Sequence, residues 1–230
     1  MRLHSTLIAL TLAAAAVAPA SVAQAQSGTF SFAVGAGSDN RQRDVSKSEG
    51  DAYTWGRATW NSNSKAFYAQ AAYETLDMGG ADLGLAAFTG IRTQVAGFDA
   101  DIQISYKALI DASPAFDDDT FETKVDLTRT YGKTRTRLRA EYSPDGLGAT
   151  EEWVWVSAYA AYPLTRKLSV SGEIGYRDQA SNIDYTGYNA GVTYAITPQV
   201  GVDVRWHGTD ADIPVAAHKD SIVANLSYAF

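Results

Sequence analysis

The chain contains no cysteine. Disulfides therefore cannot hold it together, even in an oxidising compartment. It also lacks an apolar run long enough to cross a bilayer as a helix, which takes about 20 residues. Its longest such run, Leu7 to Ala18, falls short of that. Histidine is scarce, with three in 230 residues, so few groups are on hand for acid–base or metal chemistry. Positive charge is in deficit: 19 Lys and Arg stand against 26 Asp and Glu, for a net charge of −7. That balance disfavours a polyanion as partner, and no nucleic acid is expected. The mean hydropathy of −0.18 argues against a helical membrane protein. It does not argue against a β-barrel, in which only every second residue meets lipid.

What is present starts with an export signal. Arg2 supplies a short positive region, Leu7 to Ala18 is apolar, Pro19 ends the run, and Ala23-Gln24-Ala25 offers a small-x-small cleavage site. This predicts a secretory signal peptide over residues 1–25 and a mature chain over 26–230. At the other end, Ile222, Ala224, Leu226, Tyr228 and Phe230 alternate with Ser221, Val223, Asn225, Ser227 and Ala229. Period two is the signature of a strand with one apolar face. Its terminal aromatic resembles the closing strand of bacterial outer-membrane barrels, where that residue is a signal to the barrel assembly machinery.

About twelve such segments can be read along the chain. They lie near 28–37, 51–60, 65–75, 82–93, 98–110, 120–131, 134–143, 152–162, 168–177, 185–196, 199–207 and 220–230. Each is close to the roughly 9–11 residues that a tilted strand needs to span a bilayer. The connections sort by parity. After even-numbered segments they are short, as at Gly132-Lys133 and Thr197-Pro198. After odd-numbered ones they are mostly longer and acidic, as at Ser38 to Gly50, Asp111 to Asp119, Ser143 to Glu151 and Gly208 to Lys219. Outer-membrane barrels have short periplasmic turns and longer external loops, and a soluble sandwich has no reason to sort its loops. The expected fold is all-β: a transmembrane antiparallel up-and-down barrel in the outer membrane, solvated by its lipid and lipopolysaccharide.

A charge on the lipid face costs roughly 2–4 kcal/mol at the midplane, which decides register. Arg57, Arg92 and the set Asp203, Arg205 and His207 should point inward; Leu83, Leu85, Val202, Val204 and Trp206 should point out. Arg129 shares the outward face of Leu127 but lies beside the Gly132-Lys133 turn, where its head can snorkel to the headgroups. Outward aromatics near strand ends, among them Phe98, Tyr106, Tyr142, Tyr176, Trp206 and Phe230, resemble the aromatic girdles of barrels. A two-residue turn at Gly132-Lys133 pairs Tyr131 with Thr134. Counting outward, Leu127 then meets Leu138, Asp126 meets Arg139, and Lys124 meets Glu141. Both lumen-side pairs are of opposite charge.

The candidate lumen lining is thus Arg57, Arg92, Lys107, Lys124, Arg135, Arg137, Arg139, Arg177 and Arg205, with Asp99, Asp101, Asp126, Glu141, Glu173 and Asp203. Two consequences compete. These charges line a narrow wet pore for small solutes or ions, or they pair across the barrel and plug it. The acidic external loops point to cation enrichment at the mouth, weakened by salt screening.

The stretch Ser38-Asp-Asn-Arg-Gln-Arg-Asp-Val-Ser-Lys-Ser-Glu-Gly-Asp51 resembles the first loop of the TorF family of proposed porins, with the pattern T/S-D-x-R-x-R-G-x-S-x-S-x-G-D. Asp44 stands where that family prefers Gly, so the backbone turn is open to change. Phe67-Tyr68-Ala69, Tyr142-Ser143-Pro144-Asp145 and Phe230 match in order. The resemblance implies a proteobacterial outer-membrane barrel and assigns no substrate residues. Within the same loop, Arg41, Arg43 and Lys47 could meet lipopolysaccharide phosphates or pair with Asp39, Asp44 and Glu49. Asp117-Asp118-Asp119 reads as a solvated acidic loop or as oxygen ligands for Ca²⁺. His207 reads as a lumen-rim histidine; no nucleophile motif accompanies it, and neither enzymatic activity nor a cofactor is expected.

Overall fold

A computed structural model describes residues 28–148 and 150–230. The expected signal peptide lies outside the described residues. Fourteen strands follow in chain order: β1 (Gly28–Gly37), β2 (Arg41–Gln42), β3 (Val45–Ser46), β4 (Tyr53–Ser62), β5 (Phe67–Met78), β6 (Ala81–Val95), β7 (Phe98–Ile110), β8 (Asp119–Tyr131), β9 (Thr134–Gly146), β10 (Glu151–Pro163), β11 (Leu168–Gln179), β12 (Tyr185–Ala195), β13 (Val200–Thr209) and β14 (Ser221–Ala229). β2 and β3 form a small hairpin of their own, and the other twelve close into one antiparallel barrel.

The barrel closes where its ends meet. β1 pairs with β4 on one side and with β14 on the other. Phe32 and Phe230 exchange both backbone hydrogen bonds at 2.9 Å, and their rings stack with centroids 5.6 Å apart. The terminal aromatic thus pairs across the seam, and no strand edge is left to recruit another chain.

Alternation decides what each face meets. Phe30, Ile104, Leu138, Ile174, Ile222 and Leu226 stand more than half exposed on the outside. Such a belt of apolar side chains is suited to acyl chains and not to water. Arg129 stacks over Phe98 and Tyr131 at the rim of that belt. The turn at Gly132-Lys133 sets the expected register, pairing Leu127 with Leu138, Asp126 with Arg139 and Lys124 with Glu141.

The two ends differ, though less simply than the loop lengths imply. Several strands run further than their alternation shows: β9 continues to Gly146 and β5 to Met78, so that Gly79-Gly80 alone joins β5 to β6. At this loop end Leu76, Ala81 and Leu109 pack with Met78, Phe116 and Leu147 into a small apolar core. The largest departure is the segment between β1 and β4. Its acidic composition reads as an external loop, yet Asp39, Asn40, Asp44, Ser46 and Ser48 are all buried. It folds inward because its polar groups find partners on the barrel's inner wall.

Candidate functional site

The inward segment is a two-stranded hairpin. Gln42 pairs with Val45, so Arg43 and Asp44 form its two-residue turn. Both have positive φ, 54° and 67°, the backbone of a type I′ turn. Asp44 thus occupies a left-handed position, which Asp tolerates better than most residues.

Asp39 ties the base. Its carboxylate, 2 % exposed, accepts from Arg41 Nε at 2.6 Å, Ser46 Oγ at 2.6 Å and Ser48 Oγ at 3.1 Å. Lys47 pairs with Glu74 of β5, and Asn40 Nδ2 donates to Glu74 and to the Thr75 carbonyl. The tip reaches two separate stretches of the wall. Arg43 donates to Glu141 of β9 at 2.7 Å and to Glu122 of β8 at 2.9 Å, and its guanidinium lies 3.8 Å from the Trp153 ring centroid. Asp44 contacts His207 Nδ1 of β13 at 2.7 Å and accepts from Asn189 Nδ2 of β12 at 2.8 Å. A Cβ built on Gly187 would lie 2.8 Å from Asp44 Oδ2 and 3.1 Å from the Arg43 carbonyl, so only glycine admits the tip this closely. Burial works against the charge on Arg43; the attraction of Glu122 and Glu141 outweighs it and holds the pKa above the ordinary arginine value.

The hairpin partitions the lumen. On one side lies a cavity of about 370 Å³, walled by Arg135, Arg137, Tyr159, Glu173 and Arg205. On the other lies one of about 420 Å³, walled by Trp55, Arg57, Phe88, Lys107 and Lys124. Arg41, Gln42, Arg139 and Glu141 border both. A third recess of about 490 Å³ opens at the turn end among Lys65, Arg92, Asp99, Asp101 and Arg135.

The residues named from alternation are found in these settings. Asp126 accepts both arms of Arg139, at 2.7 and 2.8 Å. Glu173 binds Arg137 at 2.8 Å and Ser157 at 2.6 Å. Arg205 spans Asp203, Asn189 and Ser171. Lys107 meets Glu122 at 2.7 Å, Asp101 meets Tyr68 at 2.7 Å and Arg92 at 3.3 Å, and Asp99 accepts from Gln94. Arg177 stacks over Trp153 behind the hairpin.

Lys124 opposes Glu141 as the turn predicts, and Glu141 also bonds Arg43 of the hairpin at 2.7 Å and approaches Arg139. Two expectations need correction. Arg41, Arg43 and Lys47 do not face outward to phosphates; each is paired inside, mostly with carboxylates of the wall and not of its own loop. His207 is a buried anchor for Asp44 and not a rim group. Among the described residues no cluster of three potential ligands could hold a metal ion, and Asp119 accepts instead from Tyr106. Sequence reasoning missed Glu74 and Glu122, although both follow the inward alternation of their strands. It named Arg41, Arg43, Lys47, Asp39 and Asp44 but did not place them in the lumen, because no periodicity marks the loop.

Among the described residues the molecule is a closed twelve-stranded antiparallel barrel with a hairpin folded into its lumen. Its fold is similar to the KdgM porin, with a TM-score of 0.60 at 8 % identity over 87 % of this chain and 99 % of that one. It is similar also to the NanC porin, at 0.59 and 8 % over 88 % and 99 %. An outer membrane channel from Pseudomonas putida F1 gives 0.55 and 12 % over 89 % and 95 %. The KdgM porin is also known in complex with disordered oligogalacturonate. No family model matches the chain, and no curated protein does. At these identities the likeness speaks for fold alone.

Proposed function

We propose that the chain is an outer-membrane channel for passive diffusion of small solutes or ions, with the first-loop hairpin as its constriction. The observation that carries this reading is the pair of cavities bordered by charged side chains either side of the hairpin, inside a wall whose outer face is apolar. In this reading the loop end is extracellular and the turn end periplasmic, residues 1–25 are a removed signal peptide, and the barrel meets lipid and lipopolysaccharide outside. The first-loop pattern, with its type I′ turn, supports a place in the TorF family, and the Phe230 seam supports recognition by the barrel assembly machinery.

Purified barrel in a planar bilayer should give stable current steps. Replacing residues 40–49 by a short Gly-Ser link should raise the step size several-fold while leaving the barrel heat-modifiable on a gel. A folded barrel that stays silent with and without the hairpin would end the channel reading. One observation favours a second reading, a closed barrel acting through its loops: Trp153, Trp155 and Tyr185 are buried with Val45 beneath the hairpin and narrow the loop end. Silence of the intact chain with current from the shortened one would favour that reading.

A further inference from the structure

We propose that the lumen selects for small anions, and that Arg57, Lys124 and Arg135 are the residues that set this selectivity. The inference rests on the channel reading and names the class of solute it passes.

The chain as a whole is acidic, with a net charge of −7, yet its interior is not. Arg41, Arg43, Arg135, Arg137, Arg139 and Arg205 border the first cavity. Against them stand only Asp44, Glu141 and Glu173. The second cavity repeats the excess, with Lys47, Arg57, Lys107 and Lys124 added to the shared Arg41 and Arg139. Its carboxylates are Glu74, Glu122 and the shared Glu141.

Pairing sharpens the imbalance. Every carboxylate bordering these cavities is already engaged: Glu74 by Lys47, Glu122 by Arg43 and Lys107, Glu141 by Arg43, Glu173 by Arg137, and Asp44 by His207 and Asn189. Arg41, Arg137, Arg139 and Arg205 likewise have carboxylate partners. Among the described residues bordering these two cavities, the charged side chains left without an ion pair are cations. Arg57 rests against the Trp55 ring, 5.5 Å from its centroid, and makes no ion pair. Lys124 makes no ion pair among the described residues, although Glu141 and Asp126 are its charged neighbours. Arg135 stands exposed between the first cavity and the turn-end recess, which it shares with Asp99 and Asp101, and makes no ion pair among the described residues.

Position then decides which charges matter. The acidic loops sit in open water, where physiological salt screens them over about 8 Å. Free cations inside a narrow, low-dielectric wall are screened far less, and such clefts focus the field on the passing ion. The interior excess therefore outweighs the acidic rim. This reverses the cation preference that the loop composition alone points to.

The test is the zero-current potential across a planar bilayer holding the full mature barrel in a KCl gradient. The expected sign is that of chloride, permeating several-fold faster than potassium. The triple variant R57Q/K124Q/R135Q should lose most of that preference. It leaves no carboxylate orphaned, so folding is expected to survive, and heat-modifiable gel migration checks this. A second variant, Arg135→Glu alone, should move the potential toward potassium. Clear current with potassium preference, or with none, in the unmodified barrel overturns the proposal and leaves the channel reading intact. Unchanged chloride preference in the folded triple variant overturns the assignment to these residues. A folded barrel that never conducts removes both.

Discussion

Arg43 and Arg92 face the same lumen and are held in opposite ways. Arg43, toward the loop end, has a side chain only 7 % exposed, two carboxylates at 2.7 and 2.9 Å, and an indole beneath it. Arg92, toward the turn end, is 43 % exposed, with one carboxylate at 3.3 Å and the Tyr68 ring 4.2 Å from its guanidinium. The first is buried and paired twice, and the second is half-exposed with a single longer ion pair. The difference teaches that a lumen charge is not one kind of thing. Where the hairpin excludes water, a charge must be fully paired. Where water reaches, it is free to act on solutes.

The comparison can be broken at four points. Arg43→Ala leaves Glu122 and Glu141 facing a buried gap, and losing one member of a buried pair costs about 3–5 kcal/mol. Urea unfolding in lipid vesicles measures it, and adding E122Q/E141Q should recover part of the loss. A cost near zero would mean that water fills the site and the loop end is as wet as the turn end. Gly187→Ala pushes on the hairpin tip, and overpacking of this kind costs about 1–3 kcal/mol. The same variant should alter the size of the current step, whereas an unchanged step would detach the tip from the constriction.

Smaller effects are expected further down. The Asp126–Arg139 pair is bidentate but partly solvated, with side chains 13 % and 22 % exposed. A double-mutant cycle should give coupling of about 1 kcal/mol, at the upper end for pairs that water reaches; no coupling would place the pair with the hydrated wall. Arg92→Ala should cost less than about 1 kcal/mol in the same assay. A cost rivalling that of Arg43 would erase the distinction between the two ends.

Much of the barrel was legible because it is local. The β8–β9 hairpin follows from one turn, Gly132-Lys133, and from counting outward in twos. The inward sides of β4, β6 and β13 follow from single charges, Arg57, Arg92 and Arg205, whose placement in lipid would cost too much. The Lys124–Glu141 contact shows where this stops. The two residues do oppose each other, and the bond still goes elsewhere, to a guanidinium from a segment that carries no alternation.

Taken alone, the order of residues determined which side of each strand is oily, which strands are neighbours in hairpins, and hence that a closed sheet would separate an apolar exterior from a polar interior. A period of two and a short turn suffice for that, since both act over a few residues. Only the three-dimensional arrangement decided where the first loop goes. Its contacts join Arg43 to Glu122 and Glu141 and Asp44 to His207, positions far apart in the chain that meet once the wall has closed. That closure gives the buried charges their partners and, among the described residues, leaves Arg57, Lys124 and Arg135 without an ion pair.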